Sequence, residues 1–395
     1  MTFSARIRTS LSARIRATDA PPIPAARTWA ARYAGHAGPA LDLTQAVPGY
    51  PPPPALLAKL AEAAGSATAA GYGPIAGEAA LRAALAEDMA GFYGAPIAPG
   101  QVAITAGCNL AFAMAMQVLA AEGDAVLLPA PWYFNHRMAM TMQGVRAIPV
   151  PTRSEDGFVP DPARIGALLA AHKARAVVLV TPNNPTGAIY PPAVIHAVAE
   201  ECRRRGAFLV LDETYRDFLP EGAPRHRLFE DPDWGDVLVH LYSFSKSYCV
   251  PGHRVGAIAA GAALMAELDK ALDTFQICPP RPAQVALAWA IPALADWRAG
   301  NRALMAGRAE TFRRLVGQLP GWRLDAIGTY FAFLRLPDGL PDALRAAEML
   351  AAEQGLMTLP GPFFGPGQER HLRLAFANAA EEVLERVPGR LAALS

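Results

Sequence analysis

The chain has 395 residues, 36 Lys and Arg against 35 Asp and Glu, a formal net charge of +1, 52% hydrophobic and 18% charged residues. That length exceeds one ordinary core and predicts two domains, the apolar fraction excludes a disordered chain, and the near-zero charge offers no basic field to a nucleic acid. Four scattered cysteines, Cys108, Cys202, Cys249 and Cys278, form no C-x-x-C pair, which excludes a zinc ribbon or disulfide framework and points to reduced thiols in the cytoplasm.

In chain order, the first twenty residues carry Arg6, Arg8, Arg14 and Arg16 with no acid before Asp19. They faintly resemble an organelle transit segment; the plainer reading is an arm that packs on a neighbour or frays. The Pro-rich run 48–54 reads as an extended connector. Thr105-Ala106-Gly107-Cys108-Asn109 follows a short apolar run and opens a helical segment over 110–120. Short β-rich runs follow at 125–129, 146–150, 176–180, 208–211, 237–242 and 255–259, separated by helical stretches such as 162–171 and 192–205. Continuous apolar strands alternating with helices predict an α/β fold, a mostly parallel sheet covered on both faces. After about residue 286 the texture becomes helix-rich, with strands expected at 330–336 and 372–376. We therefore expect a large domain over 42–286 and a smaller α+β domain built from 1–41 and 287–395. The most apolar stretch, 285–295, is broken by Pro292 and is too short to span a bilayer, so no membrane partner is expected.

Ligands of an open parallel sheet bind beyond the carboxyl ends of its strands. There the sequence places Pro131-Trp132-Tyr133, then Thr181-Pro182-Asn183-Asn184-Pro185-Thr186-Gly187, then Asp212-Glu213-Thr214-Tyr215, and finally Ser243-Phe244-Ser245-Lys246. Taken singly, Asp212 reads as a helix cap and Lys246 as a surface lysine. Together, a ring, an amide, an acid, a phenol and an amine converge on one edge. Free N–H groups at the start of the 110–120 helix suit an anion, as do Ser243 and Arg254 near Lys246. A lysine amine can condense with a carbonyl cofactor, and an acid such as Asp212 keeps a pyridine nitrogen protonated so that the ring accepts electrons.

The run Ser243-Phe244-Ser245-Lys246-Ser247-Tyr248-Cys249-Val250-Pro251-Gly252-His253-Arg254-Val255-Gly256 resembles the lysine signature of the class I/II aminotransferases, the fold-type-I pyridoxal-phosphate enzymes typified by aspartate aminotransferase. Cys249 and His253 depart from the usual smaller and apolar residues. The resemblance extends from about residue 41 to 378 and implies a seven-stranded-type sheet in the large domain and pyridoxal 5′-phosphate as cofactor. It implies that Lys246 forms the Schiff base and shuttles the proton, and that Asp212 pairs with the pyridinium nitrogen. Tyr215 and Asn184 would hydrogen-bond the ring's phenolic oxygen, and Tyr133 would stack on the ring. Gly107, Cys108, Asn109, Ser243, Ser245 and Arg254 would receive the phosphate. Tyr72 matches a tyrosine that reaches the phosphate of a neighbouring subunit, which implies a homodimer. Arg373 matches the arginine that grips the substrate α-carboxylate, and the loop Asp42–Pro48 matches a substrate loop in which Ala46 replaces glycine.

The implied activity is ping-pong transamination between an L-amino acid and a 2-oxo acid. A carbon–sulfur β-lyase or a decarboxylase would use the same cofactor. Tyr215 stands where acyl-transferring relatives carry histidine, which disfavours that branch. A non-catalytic cofactor-sensing protein would need a DNA-binding domain that the N-terminal arm is too short to hold. An NAD enzyme would need a G-x-G-x-x-G turn that is missing. No metal site is expected. No arginine clearly serves a distal substrate carboxylate; Arg281 is near that region but lies among prolines. Tyr50, Trp132 and His136 are candidates for an apolar or aromatic pocket, so the reading leans to neutral or aromatic amino donors.

Overall fold

The structure is a computed structural model and describes residues 11–394. Its centre is a seven-stranded sheet made of β1 (Val102–Thr105), β2 (Ala125–Ala130), β3 (Arg146–Pro151), β4 (Ala176–Val180), β5 (Phe208–Asp212), β6 (Leu238–Ser243) and β7 (Gly256–Ala259). The spatial order is β1-β7-β6-β5-β4-β2-β3. The five strands from β6 to β3 run parallel, and β7 is antiparallel to both of its neighbours.

Side-chain alternation explains why the strands read as unbroken apolar runs. In β5, Leu209 and Leu211 enter one core and Val210 the other; in β2, Leu127 enters the first and Val126 and Leu128 the second. Both faces are therefore covered by helices, and period-2 sequence contrast vanishes. The layer helices start and stop on local chemistry. Pro192–Arg205 has Pro192 at its first turn, Arg203, Arg204 and Arg205 at its negative dipole end, and Gly206 in the left-handed conformation (φ 61°) after it.

The second core gathers around a four-stranded antiparallel sheet: β8 (Arg323–Gly328), β9 (Phe331–Arg335), β10 (Leu359–Pro360) and β11 (His371–Leu374), in the order β10-β11-β9-β8. The helices Ala295–Val316 and Ala343–Gln354 pack on it through Phe312, Val316, Ala347 and Leu350. The segment Leu41–Asp42 pairs in parallel with Leu356–Met357, tying the start of the chain to this unit. The helix Arg281–Ala293 crosses residue 286 and sends Leu287, Ala290 and Ile291 into the larger core.

The N-terminal arm differs from the expectation that it packs on a neighbour or frays. Arg6 and Arg8 lie outside the described residues, but from residue 11 onward the arm folds back on its own chain. A short helix, Ala13–Ala17, carries Arg14 to Glu122, and Asp19 pairs with Arg137. Next, the helix Pro22–Ala30 buries Ala26 and packs Ile23 and Trp29 against Phe333, Leu359 and their neighbours. Among the described residues no helix is long and apolar enough to cross a membrane, and no group of side chains has a metal-binding arrangement.

Candidate active site

At the carboxyl ends of β4, β5 and β6 a cavity of about 490 Å³ opens between the two cores. Its walls bring together Ala46, Cys108, Asn109, Tyr133, Asn184, Asp212, Tyr215, Ser243, Ser245, Lys246, Arg254 and Arg373. Strand ends deliver most of them. Asp212 ends β5, Ser243 ends β6, and Lys246 sits in the four-residue helix Phe244–Ser247 that Ser243 caps, its Oγ accepting from the Ser245 N–H at 3.3 Å.

The Lys246 amine donates to the carbonyl of Ala46. Its pKa is pushed down to about 8, first by burial and then by the positive charges of Arg373 and Arg254. A neutral amine, the nucleophilic form, is thus within easy reach at neutral pH.

Asp212 is 4% exposed. Burial pushes its pKa up, but hydrogen bonds outweigh that: His136 Nε2 lies 3.2 Å from Oδ2, and the Thr214 N–H donates to Oδ1 at 2.9 Å, so the carboxyl is held below the ordinary carboxylate range. His136 itself stacks on Phe112, with centroids 3.9 Å apart and planes at 18°. This corrects the expectation that His136 lines a substrate pocket. It stands behind the acid.

The anion cup forms at the helix Cys108–Leu119, whose first N–H groups are free of helical partners. Gly107 precedes it with φ 92°, and a Cβ there would collide with the Arg254 guanidinium. Arg254 takes a left-handed conformation (φ 54°) and donates to the Pro251 carbonyl at 3.1 Å. On the facing wall Tyr133 accepts from Asn135 Nδ2 at 2.9 Å and sits 3.5 Å from Asn109 Oδ1.

Arg373 enters from β11 and is 2% exposed. It donates to Asn184 Oδ1 at 3.1 Å and to the Thr44 carbonyl, lies 5.1 Å from the ring centres of both Phe331 and Phe364, and leaves Nε without a partner. Burial lowers its pKa to about 10, which still leaves it charged near neutrality. Tyr215 is buried against Tyr330 and Phe331, and burial raises its phenol well above the usual value.

Not every expected residue joins the cavity. Tyr72 does not line it and is 81% exposed. Trp132 is buried in the core under Gly365, and half-buried Tyr50 stands edge-on to Trp297; neither is a wall of the cavity. Arg281 is consumed locally, pairing with Glu78 and donating to the carbonyls of Thr68, Gly71 and Tyr72. Conversely, Phe134 and Ile23 line the cavity without having stood out in the sequence, and Thr214 and Thr44 line it from segments that were singled out for other residues.

A buried amine, a buried carboxylate kept ionised, an N–H cup with an arginine and a second buried arginine define an enzyme of pyridoxal-phosphate chemistry, and the donor set fits that group. The aminotransferase class I and II family model matches residues 39–391, so the chain belongs to that family of pyridoxal-phosphate-dependent transaminases. It is 29% identical over 387 residues to an aromatic aminotransferase of Arabidopsis thaliana, covering 96% of this chain and 95% of that protein. It is 31% identical over 319 residues to an arginine–pyruvate transaminase of Pseudomonas aeruginosa, covering 80% of each. The structure of Thermus thermophilus aspartate aminotransferase with maleate superposes with a TM-score of 0.89 at 26% identity, over 98% of this chain and 100% of that one.

Proposed function

We propose that this chain moves an amino group between a neutral or aromatic L-amino acid and a 2-oxo acid, in two half-reactions at one site, as a homodimer. The observation that carries the reading is the convergence of Lys246, Asp212 and Arg373 on one cavity. When bound, pyridoxal phosphate supplies an aldehyde that takes up the amino group and a protonated ring that accepts electrons from the substrate α-carbon.

Each side chain then has a task. The N–H groups of Cys108 and Asn109, with Ser243, Ser245 and Arg254, hold the phosphate. Asp212 keeps a proton on the ring nitrogen, and His136 fixes the acid that does so. Tyr133 would cover the ring, and Tyr215 and Asn184 would bond its phenolic oxygen. Arg373 binds the α-carboxylate through a planar fork, which sets orientation as well as charge. Lys246 would hold the group through its amine and, at the reacting centre, would carry the proton between the substrate α-carbon and the cofactor carbon on the far side of the substrate nitrogen.

The donor class follows from what else the cavity offers. Beyond Lys246, Arg254 and Arg373 its lining includes the apolar Ile23, Val47 and Phe134 beside the neutral Thr44 and Gln45, with no further cation from this chain among the described residues. Arg281, the candidate for a distal carboxylate, is tied to Glu78 and the 68–72 loop. The same clamp pins the backbone beside Tyr72, whose exposed ring supports a role at the partner's phosphate. All four cysteines are free, in keeping with a reducing cytoplasm.

A panel of amino donors with pyruvate and 2-oxoglutarate as acceptors tests this. Aromatic and large neutral donors are expected to exceed aspartate by about tenfold or more in kcat/KM, since an unpaired carboxylate in an apolar pocket costs more than that. A preference for aspartate overturns the donor class; absence of amino transfer to any 2-oxo acid overturns the activity.

A further inference from the structure

A second cavity, of about 390 Å³, lies away from the cofactor cleft. It is enclosed by the helix Ala79–Tyr93, the turn Arg216–Phe218 and the first turns of Ala295–Val316. Six of its lining residues are charged: Arg216, Arg225, Arg298 and Arg302 against Asp88 and Asp217, a balance of four cations to two acids, or +2.

The acids are already engaged. Asp88 accepts from Arg298 Nη2 at 3.0 Å and from Arg216. Asp217 accepts from the Tyr242 hydroxyl at 2.6 Å and from Ser247, and lies 3.5 Å from Arg298 Nη1 and 3.7 Å from Arg216 Nε. Two acids thus neutralise Arg216 and Arg298. Arg216 Nε and Nη1 and Arg298 Nε have no hydrogen-bond acceptor and lie sealed behind the wall rather than on it. The other two arginines add uncompensated charge. Arg225 lies 3.8 Å from the centre of the Phe92 ring, which holds its guanidinium at the rim, and Arg302 has no ion-pair partner among the described residues. A concave wall with surplus guanidinium donors suits a ligand rich in acceptors and negative charge, because charged acceptors satisfy such donors best. The volume falls at the low end of small-molecule sites.

We propose that this cavity is a binding site for a small multivalent oxyanion, of the phosphoryl or polycarboxylate class, separate from the cofactor phosphate cup. Arg302 and Arg225 supply the contacts and the net positive charge at the rim, and the Arg216–Arg298 pair, held by Asp88 and Asp217, forms the wall behind them.

Calorimetric titration of the holoenzyme, whose cofactor cup is filled, tests this with inorganic pyrophosphate and with citrate at constant ionic strength. The site predicts one anion bound per chain. Affinity should fall about tenfold or more in Arg302→Gln and Arg225→Gln, the worth of a charged hydrogen bond. Ala299→Glu, which keeps every arginine but adds an acid to the wall, should weaken binding as well. Tighter binding of pyrophosphate identifies a phosphoryl ligand and tighter binding of citrate a carboxylate one, and either supports the site. Absence of binding of both, or equal binding by the parent and all three variants, overturns it. These residues lie outside the cofactor cleft, so amino transfer without added anion should be unchanged in each variant.

Discussion

His136 Nε2 lies 3.2 Å from Oδ2 of Asp212, and both groups are buried, at 1% and 4% exposure. The imidazole is fixed from below by Phe112 and from the side by Tyr133, whose ring is edge-on at 5.1 Å. A buried acid gains most from such a partner, because the bond is charge-assisted and water cannot replace it. The sequence marks the acid; the packing supplies its orientation.

Replacing His136 by Ala should therefore lower kcat/KM by about tenfold to a hundredfold, the worth of one hydrogen bond to a charged group. Asp212→Asn, which cannot hold the ring proton, should cost far more. Steady-state kinetics with one good donor measure both, and a His136→Ala loss that persists in full in the Asp212→Asn background would show that His136 is not acting through Asp212.

Arg373→Lys keeps the charge and removes the fork. The remaining ammonium cannot meet a carboxylate at two points while also facing Asn184. The expected result is a kcat/KM about a hundredfold lower for every donor alike, since the α-carboxylate is common to all of them. A donor-dependent loss would assign Arg373 to the side-chain pocket instead.

Gly107→Ala places a methyl group against Arg254 at a residue with φ 92°. Backbone strain of about 1 kcal/mol or more adds to the displaced guanidinium. Cofactor affinity should drop while the apo fold survives, which titration of apoenzyme with pyridoxal phosphate reads directly.

Glu213, next to Asp212, is a structural group. Its Oε2 lies 3.1 Å from His226 Nε2 and 3.0 Å from His240 Nε2 and accepts from Tyr93 as well. Burial raises its pKa, but the two histidines outweigh that and hold the carboxyl well below the ordinary range. Its folded pKa is thus depressed, so its stabilisation is complete above the unfolded value of about 4.3 and fades as pH falls below it. Glu213→Gln should cost about 1–3 kcal/mol at neutral pH and less in acid. Urea melts at pH 7 and at pH 3, more than a unit below the unfolded value, compare the two; an equal cost at both would remove the charge from the explanation.

The sheet was legible because β2, β4, β5 and β6 are buried on both faces and carry long apolar runs with chemistry at their ends. β8 was not, because only its weakly apolar Arg323–Gly328 run contributes, none of it fully buried. Lys246, Asp212 and Arg373 stood out through motif and spacing. Ile23 did not, since its contribution depends on an arm folding back across more than a hundred residues of chain to meet Phe134. Tyr72 lies outside the cavity of its own chain and is largely exposed, so the motif that singled it out did not place it in this site.

The most direct test is borohydride reduction of the holoenzyme followed by peptide mapping. A pyridoxyl group fixed on Lys246, absent from Lys246→Ala, is the predicted result. Labelling of another lysine, or none, contradicts the assignment of this amine to the cofactor.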